Sequence, residues 1–161
     1  MQSISDRIGS TSFQKICDAG LRCDVYVKRE DENNLSHSLK DRVAWEIVRR
    51  NLDRIRNQNL TVIDSSSGNF ALSLATLGMD LHFPVHIVAD PKHLRNKNVI
   101  KKLRSLGATL EFCDHPPIRI ARMMKENPKK YFFANQYGNS ENITAHRTTG
   151  EEILNDMDRR S

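Results

Sequence analysis

The sequence predicts an α/β fold: a short, mainly parallel four-stranded sheet in a three-layer αβα arrangement. Three observations carry this. Short runs rich in Val, Ile, Leu and Phe alternate with helical patterns of about ten to fifteen residues. The apolar runs are nearly continuous, as in strands covered on both faces. The resulting order, β-α-β-α-β-α-β, requires crossover connections, which are right-handed and lay helices on the sheet.

Each element has its own signal. RCDVYVKRE puts Cys23, Val25 and Val27 on one side of a short strand, and DENNLSHS is a polar loop. From Lys40 the period changes: Val43, Ala44, Ile47, Val48, Leu52 and Ile55 recur at helical spacing, with Ser38 or a neighbour able to cap the start. A strand follows over Leu60–Asp64, then a helix from Phe70 to Leu77 stopped by Gly78. Pro84–Ala89 reads as a strand, Pro91–Leu106 as a helix with Pro91 in its first turn and Gly107 as its stop. ATLEFC is a strand, Ile118–Glu126 a helix, KYFFAN a short strand, and TTGEEILNDMDRR a helix capped at Thr148 or Thr149. Functional loops in such folds lie at the carboxyl ends of the strands, here 64–70 and 135–139.

Composition narrows the function classes. A chain of 161 residues that is 38% hydrophobic suits one domain with an attached arm. The formal charge of +5 permits anionic partners, but acids are mixed among the bases. Lys92, Arg95, Lys97, Lys101, Lys102 and Arg104 form an acid-free basic run. A nucleic-acid-binding module is therefore one alternative, set against the lack of any RNA- or DNA-binding motif. No apolar run is long enough for a bilayer, so no membrane partner is expected. Cys17, Cys23 and Cys113 form no CxxC and read as free thiols of a reducing cytoplasm; the Cys17–Cys23 spacing is only a weak metal or redox signal. His82 and His86 do not share a helical face, and no metal site is expected.

Three segments carry chemistry. In NNLSHSLKDR, Lys40 stands at a helix N-terminus, whose field and partial burial favour a neutral amine. Periodicity alone favours a solvated lysine paired with Asp41 or Asp31. In IDSSSGNF, three serines and a glycine between strand and helix offer hydroxyls and open amides to an anion, though one serine suffices for a cap. In FANQYGNSEN, Gln136 can orient a carboxylate or bond a neighbouring loop.

Together these segments resemble the cysteine synthase family of pyridoxal-phosphate enzymes, the tryptophan-synthase-β-like group of fold type II. IGSTSF over 8–13 is similar to the family's amino-terminal signature. The motif asparagine–proline–small–glycine–serine–x–lysine–aspartate–arginine is matched by residues 34–42, with Leu35 at proline and His37 at glycine. The substrate loop is matched by Ser66-Ser67-Gly68-Asn69-Phe70, and later segments by Asn135-Gln136 and by residues 146–152.

The resemblance implies pyridoxal 5′-phosphate as cofactor of the intact relatives. It makes Lys40 the catalytic lysine that holds the cofactor and moves the α-proton, and Asn69 a cofactor contact. Ser66, Ser67, Gly68 and Gln136 become the site of the substrate carboxylate. The implied chemistry is β-elimination and replacement on an activated serine, giving cysteine or a related β-substituted alanine from a small amino-acid substrate. Residues 1–34 correspond to an N-terminal arm with one short strand, 35–145 to the small domain, and 146–161 to a C-terminal helix leading toward a large domain. No GTGGT-like phosphate loop occurs. The expectation is a truncated or split protein, inactive alone, completed by a second polypeptide or by homo-oligomerisation. A catalytically degenerate partner-binding protein is the alternative: His37 beside the lysine and Phe70 at the substrate position are expected to alter or block the site.

Overall fold

The computed structural model describes residues 4, 6, 8–16 and 23–159. Strands β3 (Thr61–Ser65), β4 (Val85–Ala89), β5 (Thr109–Phe112) and β6 (Tyr131–Phe133) form one sheet in the order β5-β4-β3-β6. All three pairings are parallel. The expected α/β class with a parallel four-stranded sheet is what the molecule has. Helices α2 (Asn69–Leu81) and α3 (Lys97–Ser105) connect β3 to β4 and β4 to β5, and α4 (Pro116–Glu126) returns to β6 on the far side of β3. Strand order therefore reverses between β3 and β6, and a crevice opens outside their carboxyl ends.

Alternation along the strands separates two cores. Val62 and Ile87 point into a large cluster with Val43, Ile47, Leu74 and Leu103, while Ile63 and Val88 join Ile120, Met123 and Tyr131 beneath α4. The apolar stripe expected from Lys40 forms α1 (Lys40–Asn57), whose Val43, Ala44, Ile47, Val48 and Ile55 are buried. The C-terminal helix α5 (Glu141–Asp158) packs against α1.

Several boundaries differ from the sequence reading, each for a local reason. The arm holds two strands: β1 (Phe13–Ile16) pairs antiparallel with β2 (Val25–Lys28). β1 is mostly exposed and lacks an apolar face, so alternation does not reveal it. Helix α2 runs past Gly78 to Leu81 and ends at His82, whose φ of 61° makes the left-handed stop. Gly78 is small for a different purpose: a Cβ there would lie 2.5 Å from Val85 and 2.9 Å from the Phe83 carbonyl oxygen. Helix α3 begins at Lys97 because Asn96 caps it, accepting from the amides of Asn98 and Val99. Pro91 instead lies in a turn in which Asp90 Oδ1 accepts the Lys92 N–H at 2.7 Å. Helix α4 starts two residues early, on Pro116 and Pro117. Helix α5 starts at Glu141, whose N–H donates to Asn139 Oδ1, so Thr148 and Thr149 lie inside it rather than at its cap. Cys17 lies outside the described residues, and with it the Cys17–Cys23 spacing.

A polar cluster fastens the arm to the helical layer. Arg42, 5% exposed, reaches Glu30 at 2.7 Å and Glu152 of α5 at 2.7 Å. Lys28 of β2 adds a 2.8 Å contact to Glu152, and the Ser10 N–H donates to the same carboxylate. Burial raises the Glu152 carboxyl, but the hydrogen bonds from Arg42, Lys28 and Ser10 outweigh it and hold the group at about 2. Gly9 adopts φ of 82° here and donates its N–H to Asn33 Oδ1.

Three stability measurements check this packing. Gly78→Ala should lower the urea midpoint by the equivalent of about 1–3 kcal/mol, because overpacking exceeds the helix-propensity gain of about 1 kcal/mol. Gly150→Ala, in α5 with nothing within 4 Å of its Cβ, should raise stability by about 0.5–1 kcal/mol. Glu152→Gln should cost about 2 kcal/mol at neutral pH. A carboxyl depressed in the folded state stabilises above its ordinary value of 4.5 and ceases to do so as pH falls through about 2. The stability gap between Glu152→Gln and the parent should therefore close across that window.

Candidate active site

The crevice at the strand-order reversal is a cleft of ≈ 650 Å³. Its walls come from the β3–α2 loop, the end of β4, the start of α4, the β6–α5 loop and Lys40. All six residues singled out in sequence as catalytic, cofactor-binding or substrate-binding line it: Lys40, Ser66, Ser67, Gly68, Asn69 and Gln136.

Lys40 is the first residue of α1 and half-buried. Its N–H donates to Ser38 Oγ at 3.1 Å, the expected cap. Neither acid offered as a partner is available. Asp31 is held by Arg29 at 2.7 Å. Asp41 is fully buried and accepts from the Leu35 N–H at 3.0 Å, the Ser36 N–H at 2.9 Å, the Ser36 hydroxyl, and the Ser73 hydroxyl of α2 at 2.6 Å. Among the described residues no acid lies within ion-pair distance of Lys40, and Lys40 lines the cleft.

Of the two substitutions expected to obstruct the site, one lies outside the cleft and the other lines it from the core. His37 has φ of 59°, a left-handed conformation that suits glycine, and its exposed ring meets the Asp31 carbonyl at 3.2 Å. It does not line the cleft. Phe70 lines the cleft but is 2% exposed and belongs to the hydrophobic core, so its ring does not fill the opening. Leu35, where the resemblance gives proline, is buried and supplies the N–H that a proline would withhold from Asp41.

In the serine loop, Ser66 Oγ accepts the Ala71 N–H at 3.2 Å and so caps α2, while Gly68 and Asn69 open that helix. Ser66 thus satisfies the capping reading, and Ser67 is surplus to it. Gln136 is 3% exposed; its side-chain amide reaches the Ser65 carbonyl at 3.4 Å, and its backbone N–H donates to Asp64 Oδ2 at 3.2 Å. The neighbouring-loop reading of Gln136 therefore holds, and the residue also lines the cleft.

Asp64 was not singled out from sequence. It ends the buried part of β3, accepts the Ser65 N–H at 2.6 Å, and clasps the two cleft loops through Ser65 and Gln136. Burial pushes its carboxyl up to about 6 despite the backbone donors. It also borders an adjoining, largely apolar cavity of ≈ 550 Å³ between α4 and β6, lined by Ile120, Met124 and Phe133. An aspartate closing an apolar strand was the available signal. Asp90 and His93, at the end of β4, are two further cleft residues that the motifs did not indicate.

No helix among the described residues is long and apolar enough to cross a membrane. Among the same residues no group of three His, Cys, Asp or Glu side chains could hold a metal.

Comparison with known proteins follows the same geometry. Residues 4–161 match the family model for pyridoxal-phosphate dependent enzymes. Cysteine synthase B of Campylobacter jejuni is 31% identical, covering 98% of this chain and 53% of the relative. Cysteine synthase of Aquifex aeolicus is 32% identical, covering 82% and 42%. The crystal structure of cysteine synthase from Entamoeba histolytica superposes with a TM-score of 0.86 at 29% identity, covering 98% of this chain and 50% of that one. A hydrogen sulfide-producing enzyme from Fusobacterium nucleatum gives a TM-score of 0.84 at 29% identity, covering 98% and 53%. The chain spans about half the length of the relatives it matches.

The loop clasp has a direct test. In a carbon-13 NMR titration the Asp64 carboxyl should titrate near pH 6, with the Gln136 amide moving in step. A folded-state value above the ordinary 3.8 means that Asp64 favours folding most below that pH and loses this contribution as pH rises through about 6. An Asp64 that titrates near 3.8 with a silent Gln136 amide would refute the clasp.

Proposed function

This chain belongs to the family of pyridoxal-phosphate dependent enzymes, and on that premise we propose that it supplies one wall of a β-replacement site of the cysteine synthase kind. The observation that carries the reading is the convergence of Lys40, the serine loop and Gln136 on one cleft. A volume of ≈ 650 Å³ lies within the range of small-molecule sites, about 300–1,000 Å³. Lys40 and Asn69 on a common wall fit the cofactor's reactive end.

In this reading Lys40 holds the cofactor and moves the α-proton, its backbone fixed by the Ser38 cap and by the Asp41 network beside it. Asn69 orients the cofactor ring. Ser67, Gly68 and the Ser66 hydroxyl bind the substrate carboxylate at the N-terminus of α2, where unpaired amides favour an anion. Gln136 closes that subsite from the β6 side. When bound, the cofactor supplies the electron sink that cleavage at the α-carbon needs. The substrate is a small amino acid with a leaving group on its β-carbon.

We assign the opposite wall of the cleft, with the phosphate-binding loop that the resemblance puts in a large domain, to a further segment of the protein or to a second polypeptide. The chain alone is then catalytically incomplete. Mixing it with the carboxyl-terminal half of a relative and pyridoxal phosphate should give the visible absorbance of a lysine-bound cofactor, lost in Lys40→Ala. No absorbance in the chain or in any such mixture, or an unchanged band in Lys40→Ala, would overturn the assignment.

A further inference from the structure

We propose that Asp90 and His93 form a second pole of the cleft that binds a cationic nitrogen, an ammonium group on the side chain of an amino-acid ligand. The inference rests on the reading of the cleft as an amino-acid site and names the substrate class that this site prefers.

The sheet register brings the two poles together. Ser65 of β3 is paired with Val88 of β4. Two residues beyond that rung the chain reaches Ser67 on one strand and Asp90 on the other. Adjacent strands lie about 4.8 Å apart, so the two loops rise side by side from the same edge of the sheet. Both open into the cleft.

Their chemistry is opposite. The serine loop presents hydroxyls and helix-terminal amides, which suit a carboxylate. The β4 side presents acceptors. Asp90 Oδ1 takes the Lys92 N–H at 2.7 Å, which fixes the carboxylate. Oδ2 stands 3.9 Å from His93 Nε2, too far for a direct hydrogen bond. A nitrogen placed at ordinary hydrogen-bond length from both atoms, about 2.9 Å, closes that gap without moving either. The Asp90 side chain is only 16% exposed while the His93 side chain is 74% exposed, so the carboxylate side of such a contact is shielded and the imidazole side faces water at the cleft rim. Among the described residues no lysine or arginine lies within ion-pair distance of Asp90. A ligand carrying a carboxylate at one end and a side-chain ammonium at the other matches both poles.

Titrating the full chain with L-2,4-diaminobutyrate and, separately, with L-homoserine compares an ammonium with a hydroxyl on the same carbon. Calorimetry should show the diamino acid binding about tenfold tighter, the scale of a charge-assisted hydrogen bond. In NMR spectra the His93 ring should shift with the diamino acid alone, and the amides of Ser66 to Gly68 with both. Asp90→Asn keeps an acceptor for the Lys92 N–H and should bring the affinity ratio to about one. Equal affinities, or a preference that survives Asp90→Asn, overturn the cationic pole while the carboxylate site stands. Amides of Ser66 to Gly68 that stay still with both ligands overturn the amino-acid reading and the pole together.

Discussion

A carboxylate withdrawn from water, as Asp41 is, is tolerable only when donors surround it. The donors here come from places far apart in the chain: the backbone of Leu35 and Ser36 in the loop before α1, the Ser36 hydroxyl, and Ser73 within α2. Satisfying one side chain therefore fixes the approach of the loop, the start of α1 and the adjacent face of α2. Lys40 is the residue next to Asp41, and the serine loop immediately precedes α2. The same bonds that keep Asp41 satisfied set the lysine and the serine loop on one cleft. They also occupy the acid nearest to Lys40 in sequence, so Asp41 is not its ion-pair partner.

That arrangement explains why unusual residues in the lysine motif are accommodated. The position of His37 requires a left-handed backbone, not an absent side chain, and the imidazole turns outward to the Asp31 carbonyl. Leu35 contributes to the core and gives Asp41 an amide that proline lacks. Phe70 is drawn into the core on the buried side of α2. Each departure is resolved by a local demand of packing or hydrogen bonding, and the cleft stays open.

A second set of polar contacts makes the arm part of the molecule. Arg42, one residue after Asp41, pairs with Glu30 and Glu152, and Lys28 joins them from β2. The two adjacent residues thus serve opposite sides of the first turn of α1: Asp41 faces α2, and Arg42 faces the hairpin and α5. An ion cluster of this kind is costly to break at one partner, because the remaining charges stay buried.

The class of fold, the run of helices and strands in the α/β unit, and the cleft residues that belong to motifs are legible in the amino-acid order alone. Hydrophobic periodicity is a local property and survives without knowledge of the partner surface. It could not give β1, whose mostly exposed residues have no apolar side, nor the true end of α2, because a glycine needed for close packing at Val85 looks the same as one needed for a stop. Nor could it say whether Asp41 and Asp31 pair with Lys40, since that depends on what else they bind. The fold answers this by enclosing Asp41 between loop and helix and holding Asp31 on Arg29, and it brings Lys40 to the cleft by reversing the strand order between β3 and β6. It alone placed Asp64, Asp90 and His93 around the cleft, because their positions follow from strand register, a relation between segments that no single segment encodes.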